Sequence, residues 1–568
     1  MFSWGVISVG RKTRLPVGVD DFKELVQGNF LTVDKTRFIK ELLDDSAKVT
    51  LITRPRRFGK SMAMSMLNYF FTLEDAEENR GLFAGTDIER AGEKYMQEQG
   101  QWPVVLLSLK DIKPLTYESM TTQIGFVLQK AYDEHRYLLD CNFLDEEKYK
   151  YYKNVLYGEA TVDELQSSLG NLLDFLQRYH GRPVILLIDE YDAPIQAAWS
   201  APNSYYDEAI AFMRTFLTSA LKGNTSLRFG VLTGVLRIAK ESIFSALNNL
   251  EVSTVVRGKY ADSFGFTPEE TAKMAKDLGR EDKISELREW YDGYIFSGCE
   301  LYNPWSVVNY FASGCITDIF WLNTSGNGII AELVSHAREA DTKKLIKLFQ
   351  GEVLSISVNE GVIYTDIYSD PDALYTMLLT TGYLKSVETT LVEGEFLCKV
   401  KIPNREVRVV YRREILKRFS KGIGRSDLAE TLEYLLAGDG EEFAQGLGRY
   451  LENIASFHDT AERESFYHGF VLGILAWLVP QYRVVSNREA GYGRFDLGIF
   501  PRETGIPGIV MEFKVADSED TLAETARQAL AQIEEKDYLA EFRAQGVEAV
   551  WCYGVAFCGK KVWLAYDG

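Results

Sequence analysis

Continuous apolar runs constrain the fold of this chain more than any other feature of its sequence. They are WPVVLLSL (102–109), RPVILLIDE (182–190) and RFGVLTGV (228–235), and the β-rich run VTLIT (49–53) precedes them. Runs of this kind are expected for parallel strands that are buried on both faces. Amphipathic helical segments separate them, as in VDELQSSLGNLLDFLQRY. The alternation predicts a parallel α/β sheet through about residue 265.

The pattern changes after this first α/β region, and the changes suggest domain boundaries. The stretch from about 268 to 345 is helical and aromatic. Within residues 346–460, the helix DPDALYTMLLTTGYL is followed by a strand pair that turns at EG, an order that suggests a winged-helix-like unit. We predict an α/β domain (1–267), a helical lid region (268–345), a winged-helix-like and helical connector (346–460) and a second α/β domain (461–568).

Composition and charge bear on three questions: membrane insertion, secretion and nucleic-acid binding. No apolar run is long enough to span a bilayer, since the longest, FVLGILAWLV, is stopped by Pro480. The first ten residues do not have the charge order of a signal peptide, and the six cysteines are scattered. We therefore expect a cytoplasmic protein with no membrane segment. The net charge of −19 argues against a protein that binds nucleic acid over its whole surface, but it does not exclude a local basic groove.

Residues 54–61, RPRRFGKS, end as a phosphate-binding P-loop ends, with Gly59, Lys60 and Ser61. In such a loop, backbone N–H groups wrap the phosphate, the lysine reaches the β- and γ-phosphates, and the hydroxyl ligates Mg²⁺. The tripeptide lies between a β-rich run and a helical segment, which is the required context. One departure is that Arg54 occupies the position of the usual opening glycine.

A second motif supports a nucleotide site, because the apolar run VILLIDEYD ends in Asp189 and Glu190. An aspartate at this place can hold Mg²⁺ through water, and the following glutamate can polarise the attacking water. Acids at the end of a strand are common, so this motif alone is weak. Together with the upstream GKS in one α/β domain, it predicts a Mg-nucleotide site; a charged turn is the alternative for the arginine cluster.

A third motif lies near the C-terminus. The segments GRFDLGIF (493–500) and GIVMEFKV (508–515) flank the turn-rich PRETGIP and predict a hairpin. Alternation places Glu512 and Lys514 on one face, and the hairpin brings Asp496 opposite Glu512. Carboxylate oxygens suit Mg²⁺ or Mn²⁺ beside a scissile phosphate, and the lysine can orient or deprotonate water. Alone, E-x-K on a strand is more often a salt bridge.

Taken together, these segments resemble the bacterial AAA-ATPase-like proteins that carry a C-terminal PD-(D/E)XK nuclease-superfamily domain. The resemblance covers almost the whole chain and includes LITRPRRFGKS, VILLIDEYDAPI, WYDGYIF, LYNPWSV and TTGYL. It implies an α/β fold class: a P-loop parallel-sheet ATPase domain, a helical and winged-helix-like middle region, and a restriction-endonuclease-like C-terminal domain. In that family the loop looks like RPRRFGKS, so Arg54 is the family's own variant.

The resemblance also implies further residues at the nucleotide site. Arg54, Arg56 and Arg57 are expected as extra cations around the phosphates, with Phe58 in the same loop. Thr233 lies where the sensor residues of such ATPases sit. Arg237 is placed to reach the γ-phosphate, with a surface salt bridge as its alternative.

Helices on either side of the C-terminal hairpin add candidate residues to the nuclease site. The preceding helix contributes Glu464, and the following helix contributes Gln528 or Gln532, of which the resemblance favours Gln532. The proposed metal ligands in the chain are Ser61 and Asp189 at the first site and Asp496 and Glu512 at the second. The aromatic set Trp290, Tyr291, Tyr294, Tyr302 and Trp305 either packs a helical lid or stacks bases.

The leading hypothesis is an ATPase whose nucleotide state controls a fused metal-dependent nuclease that cleaves phosphodiester bonds, for instance in defence against foreign nucleic acid. The alternative is an ATP-dependent conformational switch whose nuclease-like domain only binds nucleic acid or a protein partner. Both hypotheses require ATP and Mg²⁺ and favour DNA over RNA as the nucleic acid. The sequence leaves the oligomeric state open.

Overall fold

The computed structural model describes residues 14–141, 143–238, 250–321, 339–349, 351–411, 425–454, 467, 470–471, 474–475, 478, 481–490, 493–503 and 505–567. The chain divides into two compact units. Unit 1 comprises Met1–Gly328 and Ser355–Val407, and unit 2 comprises Ile329–Leu354 and Arg408–Gly568. Within the described ranges, no helix is long and apolar enough to cross a membrane.

The strands of the described residues form four sheets. They are β1 (Val49–Thr53), β2 (Val104–Ser108), β3 (Val184–Asp189), β4 (Leu227–Gly234), β5 (Leu250–Ser253), β6 (Tyr294–Phe296), β7 (Cys299–Leu301), β8 (Leu354–Val358), β9 (Lys385–Val392), β10 (Glu395–Lys401), β11 (Tyr482–Ala490), β12 (Gly493–Pro501), β13 (Gly508–Val515), β14 (Val550–Cys558) and β15 (Lys561–Asp567).

The helices of the described residues surround these sheets. They are α1 (Phe22–Gln27), α2 (Arg37–Asp44), α3 (Lys60–Phe71), α4 (Ala76–Arg80), α5 (Asp87–Arg90), α6 (Glu93–Met96), α7 (Tyr117–Glu134), α8 (Glu146–Tyr157), α9 (Val162–His180), α10 (Ala193–Ser200), α11 (Tyr206–Leu221), α12 (Pro268–Asp277), α13 (Ile284–Tyr291), α14 (Pro304–Ala312), α15 (Glu339–Phe349), α16 (Ala373–Thr380), α17 (Arg425–Ala437), α18 (Gly440–Ile454), α19 (Leu522–Glu535) and α20 (Leu539–Ala544).

The central sheet of unit 1 confirms the predicted parallel α/β fold. Its strand order is β2-β3-β4-β1-β5, and every neighbouring pair is parallel. Both β1 and β3 are buried along their whole length, which explains why their sequences are continuously apolar. Because all strands are parallel, the carboxyl ends of β1, β2, β3 and β4 meet at one edge, where ligands bind in open α/β sheets.

The helices that return between these strands begin and end where the sequence indicates. Helix α9 begins with a capping box, in which Thr161 and Glu164 satisfy each other's backbone N–H groups. It ends at Gly181, whose φ of 64° is a left-handed conformation that glycine adopts without strain. Its buried stripe of leucines faces α11 and the sheet.

The middle of the chain supplies the remaining elements of unit 1. The predicted order of a helix followed by a hairpin is confirmed, because α16 precedes the antiparallel pair β9–β10. The hairpin turns at Glu393 and Gly394, which have φ values of 50° and 91°. Strand β8 pairs with β10, so that these elements form a three-stranded sheet.

Unit 2 contains a mixed sheet in the order β11-β12-β13-β14-β15, in which only β13 and β14 are parallel. The predicted hairpin of β12 and β13 is confirmed by their antiparallel register. Helix α19 crosses this sheet at Gly554, where an added Cβ would collide with the backbone of Ala526 and Leu530. The close approach lets α19 lie directly over the strands.

Candidate functional site

The loop between β1 and α3 has the conformation of a phosphate-binding turn. Gly59 has a φ of 87° and forms the N-cap of α3, and Arg57 also has a positive φ, of 69°. The Lys60 ammonium donates to the backbone oxygens of Arg54 and Pro55 at 3.0 and 3.1 Å. The lysine is therefore held inside the turn, at the N-terminus of a helix that favours anions.

Asp189 is the point where three elements of the site converge. Its carboxylate accepts from the Ser61 hydroxyl at 2.6 Å and from the Thr233 hydroxyl at 2.5 Å. Burial raises the pKa of Asp189, and the two hydroxyl donors oppose that shift. The hydroxyl and the carboxylate are hard oxygen donors of the kind that Mg²⁺ requires, so this pair fits a cation.

Glu190 lies beside this cluster in a strained backbone conformation, with a φ of 53°. Its N–H donates to the Thr233 hydroxyl at 3.3 Å, and its carboxylate lies 3.7 Å from the Lys60 ammonium. Thr233 thus contacts both Asp189 and Glu190. The structure brings Lys60, Ser61, Asp189, Glu190 and Thr233 together, although they come from three separate segments.

Asp192, in the same acidic motif, was not recognised as functional from the sequence. It is fully buried, and its carboxylate accepts from the N–H groups of Val235 and Leu236, both at 2.9 Å. Burial raises its pKa to about 6. The side chain ties the end of β3 to the segment that follows β4 and so fixes the position of Thr233.

A cavity of about 460 Å³ lies in front of this cluster, within the size range of small-molecule sites. Its charged and polar lining includes Arg56, Arg57, Lys60, Ser61 and Glu190. Its apolar lining includes Val19, Phe22, Leu31, Met62, Met66 and Phe266. A lining that is both charged and apolar suits a molecule that carries phosphates and an aromatic base.

The structure corrects the prediction that Arg54 contacts phosphate. Its side chain is fully buried behind the loop and does not line the cavity. The guanidinium donates to the backbone oxygens of Ser253 at 3.1 Å and of Lys259 and Tyr260 at 3.3 Å. Arg54 turns away from the cavity because this pocket of carbonyl groups can satisfy a buried fork of donors.

The other predicted residues of the loop have separate positions. Arg57 lies over the ring of Trp305 at 4.1 Å, and Arg56 donates to Gln196 at 2.7 Å. Both arginines line the cavity, and so does Phe58, whose ring packs against Tyr294 and Phe296. The Phe58 ring is therefore part of the core that supports the loop.

Arg237 follows β4, the strand that carries Thr233. In the described part of the chain it is not among the residues that line the cavity. Burial and the charge of Asp192 raise the pKa of Tyr191, and the nearby Arg237 guanidinium opposes this rise. The contact of Arg237 with the γ-phosphate stays a prediction.

The C-terminal candidate site is built on β12 and β13. One step beyond the paired residues Leu497 and Met511, Asp496 comes opposite Glu512. The Asp496 carboxylate accepts from the Phe513 N–H at 2.7 Å, so it lies against the neighbouring strand. Directly opposed residues of an antiparallel pair point to the same face, which places both carboxylates together, as the alternation predicts.

Gln532 of α19 connects the remaining members of this site. Lys514 donates to the Gln532 side-chain oxygen at 2.8 Å, and the Gln532 amide donates to Glu512. The same amide also contacts the Tyr538 hydroxyl at 3.2 Å. Tyr538 was missed, because nothing in the local sequence distinguishes it from a core tyrosine. Lys514 is thus linked to Glu512 through an amide.

One more residue was predicted at this site, on the helix before the hairpin. Glu464 lies outside the described residues, so its predicted role stays a prediction. Within the described ranges, no group of three or more His, Cys, Asp or Glu residues is arranged to hold a metal ion. Asp496 and Glu512 are two hard oxygen ligands, and a cation held by them would take further ligands from water or substrate.

Two parts of the chain match known protein families. The family described as a predicted AAA-ATPase matches residues 16–244, and the PD-(D/E)XK nuclease superfamily matches residues 462–566. An uncharacterized protein in the vnfD 5′ region of Azotobacter chroococcum mcd 1 is 25% identical over 562 residues, 96% of each chain. The Walker-type ATPase PABY2304 of Pyrococcus abyssi, a solved structure, is 14% identical, with a TM-score of 0.36 over 71% of this chain and 99% of that chain.

The two matches coincide with the two sites. The first includes the P-loop and the acidic motif, and the second includes both carboxylates, Lys514 and Gln532. The chain therefore joins an AAA-ATPase-like domain, at residues 16–244, to a C-terminal PD-(D/E)XK nuclease-superfamily domain, at residues 462–566.

Proposed function

We propose that unit 1 binds and hydrolyses ATP, and that its nucleotide state controls a metal-dependent nuclease activity of the C-terminal domain. The observation that carries the proposal is the convergence of Ser61 and Thr233 on Asp189, with Lys60 facing Glu190 across the same cavity. These are the side chains that phosphoryl transfer requires: a phosphate counter-charge, a cation site and a base.

In this proposal each residue of unit 1 has a separate role. Lys60 and the backbone of the loop hold the phosphates, and apolar residues that line the cavity hold the base. Ser61 and Asp189 would hold Mg²⁺, which offsets the negative charge of the β- and γ-phosphates when it is bound. Glu190 accepts the proton of the attacking water, and Thr233 positions Glu190 and Asp189 through its hydroxyl.

The roles in the C-terminal domain follow the chemistry of its side chains. Asp496 and Glu512 would hold Mg²⁺ or Mn²⁺, which polarises the scissile phosphate when it is bound. Lys514 orients the attacking water and offsets charge on the phosphate, and Gln532 keeps the lysine and Glu512 at a fixed separation. We propose DNA as the substrate, and defence against foreign nucleic acid as the setting in which an ATP-controlled nuclease is useful.

The ATPase proposal is tested by two variants of the full chain. Lys60→Ala removes the phosphate counter-charge, and we expect ATP binding to be lost. Glu190→Gln retains the shape of the site and removes the base, so we expect binding to persist while hydrolysis falls by about 10²-fold or more. Titration with ATP and phosphate release measure the two effects. Hydrolysis by Glu190→Gln at the wild-type rate would show that Glu190 is not the base.

The nuclease proposal is tested by metal-dependent nicking of plasmid DNA, with and without ATP. We expect Asp496→Asn to weaken Mg²⁺ binding while folding is kept, and Lys514→Ala to abolish nicking. The matched control is Lys536→Ala, a charge change just after α19 on a side chain that is 39% exposed. Equal cutting by the wild type and Lys514→Ala would assign the activity to a contaminant. DNA binding without cutting would favour the alternative function, an ATP-dependent switch.

A further inference from the structure

The loop after β2 brings a lysine to the ATP site from the side opposite the P-loop. Strand β2 lies next to β3 at the edge of the sheet, and Ser108 is paired with Asp189. The Leu109 N–H then donates to the Asp189 backbone oxygen at 2.9 Å. Lys110 is the next residue, and it lines the cavity together with Glu190 and Lys60.

The Lys110 ammonium has an exchangeable partner. It donates to the Asp20 carboxylate at 2.8 Å, and the two side chains are 43% and 62% exposed. The hydrogen bond to Asp20 raises the pKa of Lys110, and the charge of Asp189 contributes, so the ammonium is charged and close to the acidic motif. Exposed ion pairs contribute only about 0–1 kcal/mol, so a polyphosphate can displace the carboxylate.

Asp20 lines the cavity, and the next residue, Asp21, fixes its position. The Asp21 carboxylate caps α1 and also accepts from the Ser65 and Tyr69 hydroxyls of α3, the helix that follows the P-loop. The segment is thereby fastened to the P-loop helix. Burial lowers the pKa of Arg57, and the charge of Asp20 opposes this shift as a minor contribution. One carboxylate thus lies near two cations that line the cavity.

We propose that Lys110 is a catalytic residue of this ATPase, which exchanges Asp20 for the γ-phosphate of ATP. The inference rests on the proposed function and adds to it a cation from outside the P-loop, whereas Arg54 is turned away from the cavity. Arg57 is stacked on Trp305 and Arg56 is bonded to Gln196, whereas Lys110 approaches from β2, beyond Asp189 and Glu190.

Hydrolysis transfers the γ-phosphoryl group of ATP to water. The water oxygen forms a bond to the γ-phosphorus, and the bond from that phosphorus to the bridging oxygen breaks. ADP leaves with the electron pair, and the water proton passes to Glu190 and then to solvent. Lys110 is not consumed, because it only offsets the charge on the oxygens of the transferred group.

The test compares ATP with ADP, since only ATP carries the γ-phosphate. We expect Lys110→Met to lower kcat by about 10²–10³-fold, as loss of a transition-state donor does. We expect it to raise Kd for a non-hydrolysable ATP analogue about tenfold or more and to change Kd for ADP by less than about threefold. The matched control is Lys130→Met, on a side chain of α7 that is 82% exposed, which should alter neither quantity. Asp20→Asn, which removes the competing carboxylate, should tighten binding of the analogue.

The outcomes separate this inference from the proposed function. A wild-type protein that binds no nucleotide overturns both. A wild type that hydrolyses ATP, with kcat and the ratio of the two Kd values unchanged in Lys110→Met, overturns the role of Lys110 alone. A loss of both ATP and ADP binding in Lys110→Met, with an unchanged melting temperature, would make Lys110 a general binding residue and would also overturn the inference.

Discussion

At the scale of single residues, Arg54 shows how a position in a motif acquires a different task. It stands where a P-loop has its first glycine, and its guanidinium is enclosed by Phe264 and Phe296 at 5.6 and 5.4 Å. Besides its backbone acceptors it donates to the Ser253 hydroxyl at 3.0 Å. These contacts connect the start of the loop to β5 and to the segment after it.

We expect Arg54→Ala to lower the free energy of unfolding of unit 1 by about 3–5 kcal/mol, because several buried backbone oxygens would lose their donor. Arg54→Lys should not restore stability, since a single ammonium cannot reproduce the fork of donors. Chemical denaturation measures both effects. The control is Arg37→Ala, on a side chain that is 66% exposed, with an expected change within about 0.5 kcal/mol. A small effect of Arg54→Ala would mean that water replaces the guanidinium.

At the scale of secondary-structure elements, Glu406 joins α14 to the segment before residue 322. Its fully buried carboxylate accepts from the Ser306 hydroxyl at 2.9 Å and from the Trp321 N–H at 2.7 Å. The Trp321 indole N–H donates in turn to the backbone oxygen of Arg56 at 3.3 Å. The start of α14 and the P-loop are therefore positioned by one chain of hydrogen bonds.

Glu406 makes the stability of unit 1 depend on pH. Burial raises its pKa to about 7, above the value of about 4.3 in an unfolded chain. The folded protein holds this proton more tightly, so the contribution to stability is full below about pH 4.3 and is lost as pH rises through about 7. Glu406→Gln cannot ionise. We therefore expect its free energy of unfolding, relative to that of the wild type, to increase by up to about 3 kcal/mol from pH 5 to pH 8.

Thermal melts of the wild type and Glu406→Gln across this pH range measure the difference. Glu289→Gln is the control, since that carboxylate is 60% exposed and pairs with Arg405 at the surface. Its pH profile should follow that of the wild type. Parallel profiles of the wild type and Glu406→Gln would show that Glu406 does not titrate in this range.

At the scale of the whole molecule, the chain enters each compact unit twice. Residues 355–407 return to the unit that contains the P-loop, after residues 329–354 have contributed to the other unit. Each unit has its own sheet and its own candidate site. The control of one site by the other that we propose would be a free-energy coupling between two ligands, and such a coupling is reciprocal.

We expect ATP to change Kd for a short DNA duplex by the same factor by which the duplex changes Kd for ATP. A factor of about 5–150 is typical of such coupling. A variant that combines Glu190→Gln with Lys514→Ala prevents both hydrolyses, so that equilibrium titrations can be made in Mg²⁺. Adding Lys60→Ala is the control, and it should remove the effect of ATP. A factor of one in both directions would show that the units act independently.

Much of this architecture was determined by the sequence alone, because it depends on local patterns. Continuous apolar runs can only be buried on both faces, so they predicted the parallel sheet. The period of two along a strand placed Glu512 and Lys514 on one face. The turn between β12 and β13 brought Asp496 opposite Glu512, as the register confirms. Each of these features is decided within a few residues.

Only the tertiary structure decided which distant side chains meet. Thr233 reaches Asp189, Gln532 bridges Glu512 and Lys514, and Lys110 reaches Asp20 across a separation of 90 residues. Local periodicity shows which face of an element is buried, but the strand order and the crossing of helices decide what that face contacts. Arg54 turned inward for the same reason, since its distant carbonyl acceptors are Ser253, on the strand β5 that pairs with β1, and Lys259 and Tyr260 in the segment after it.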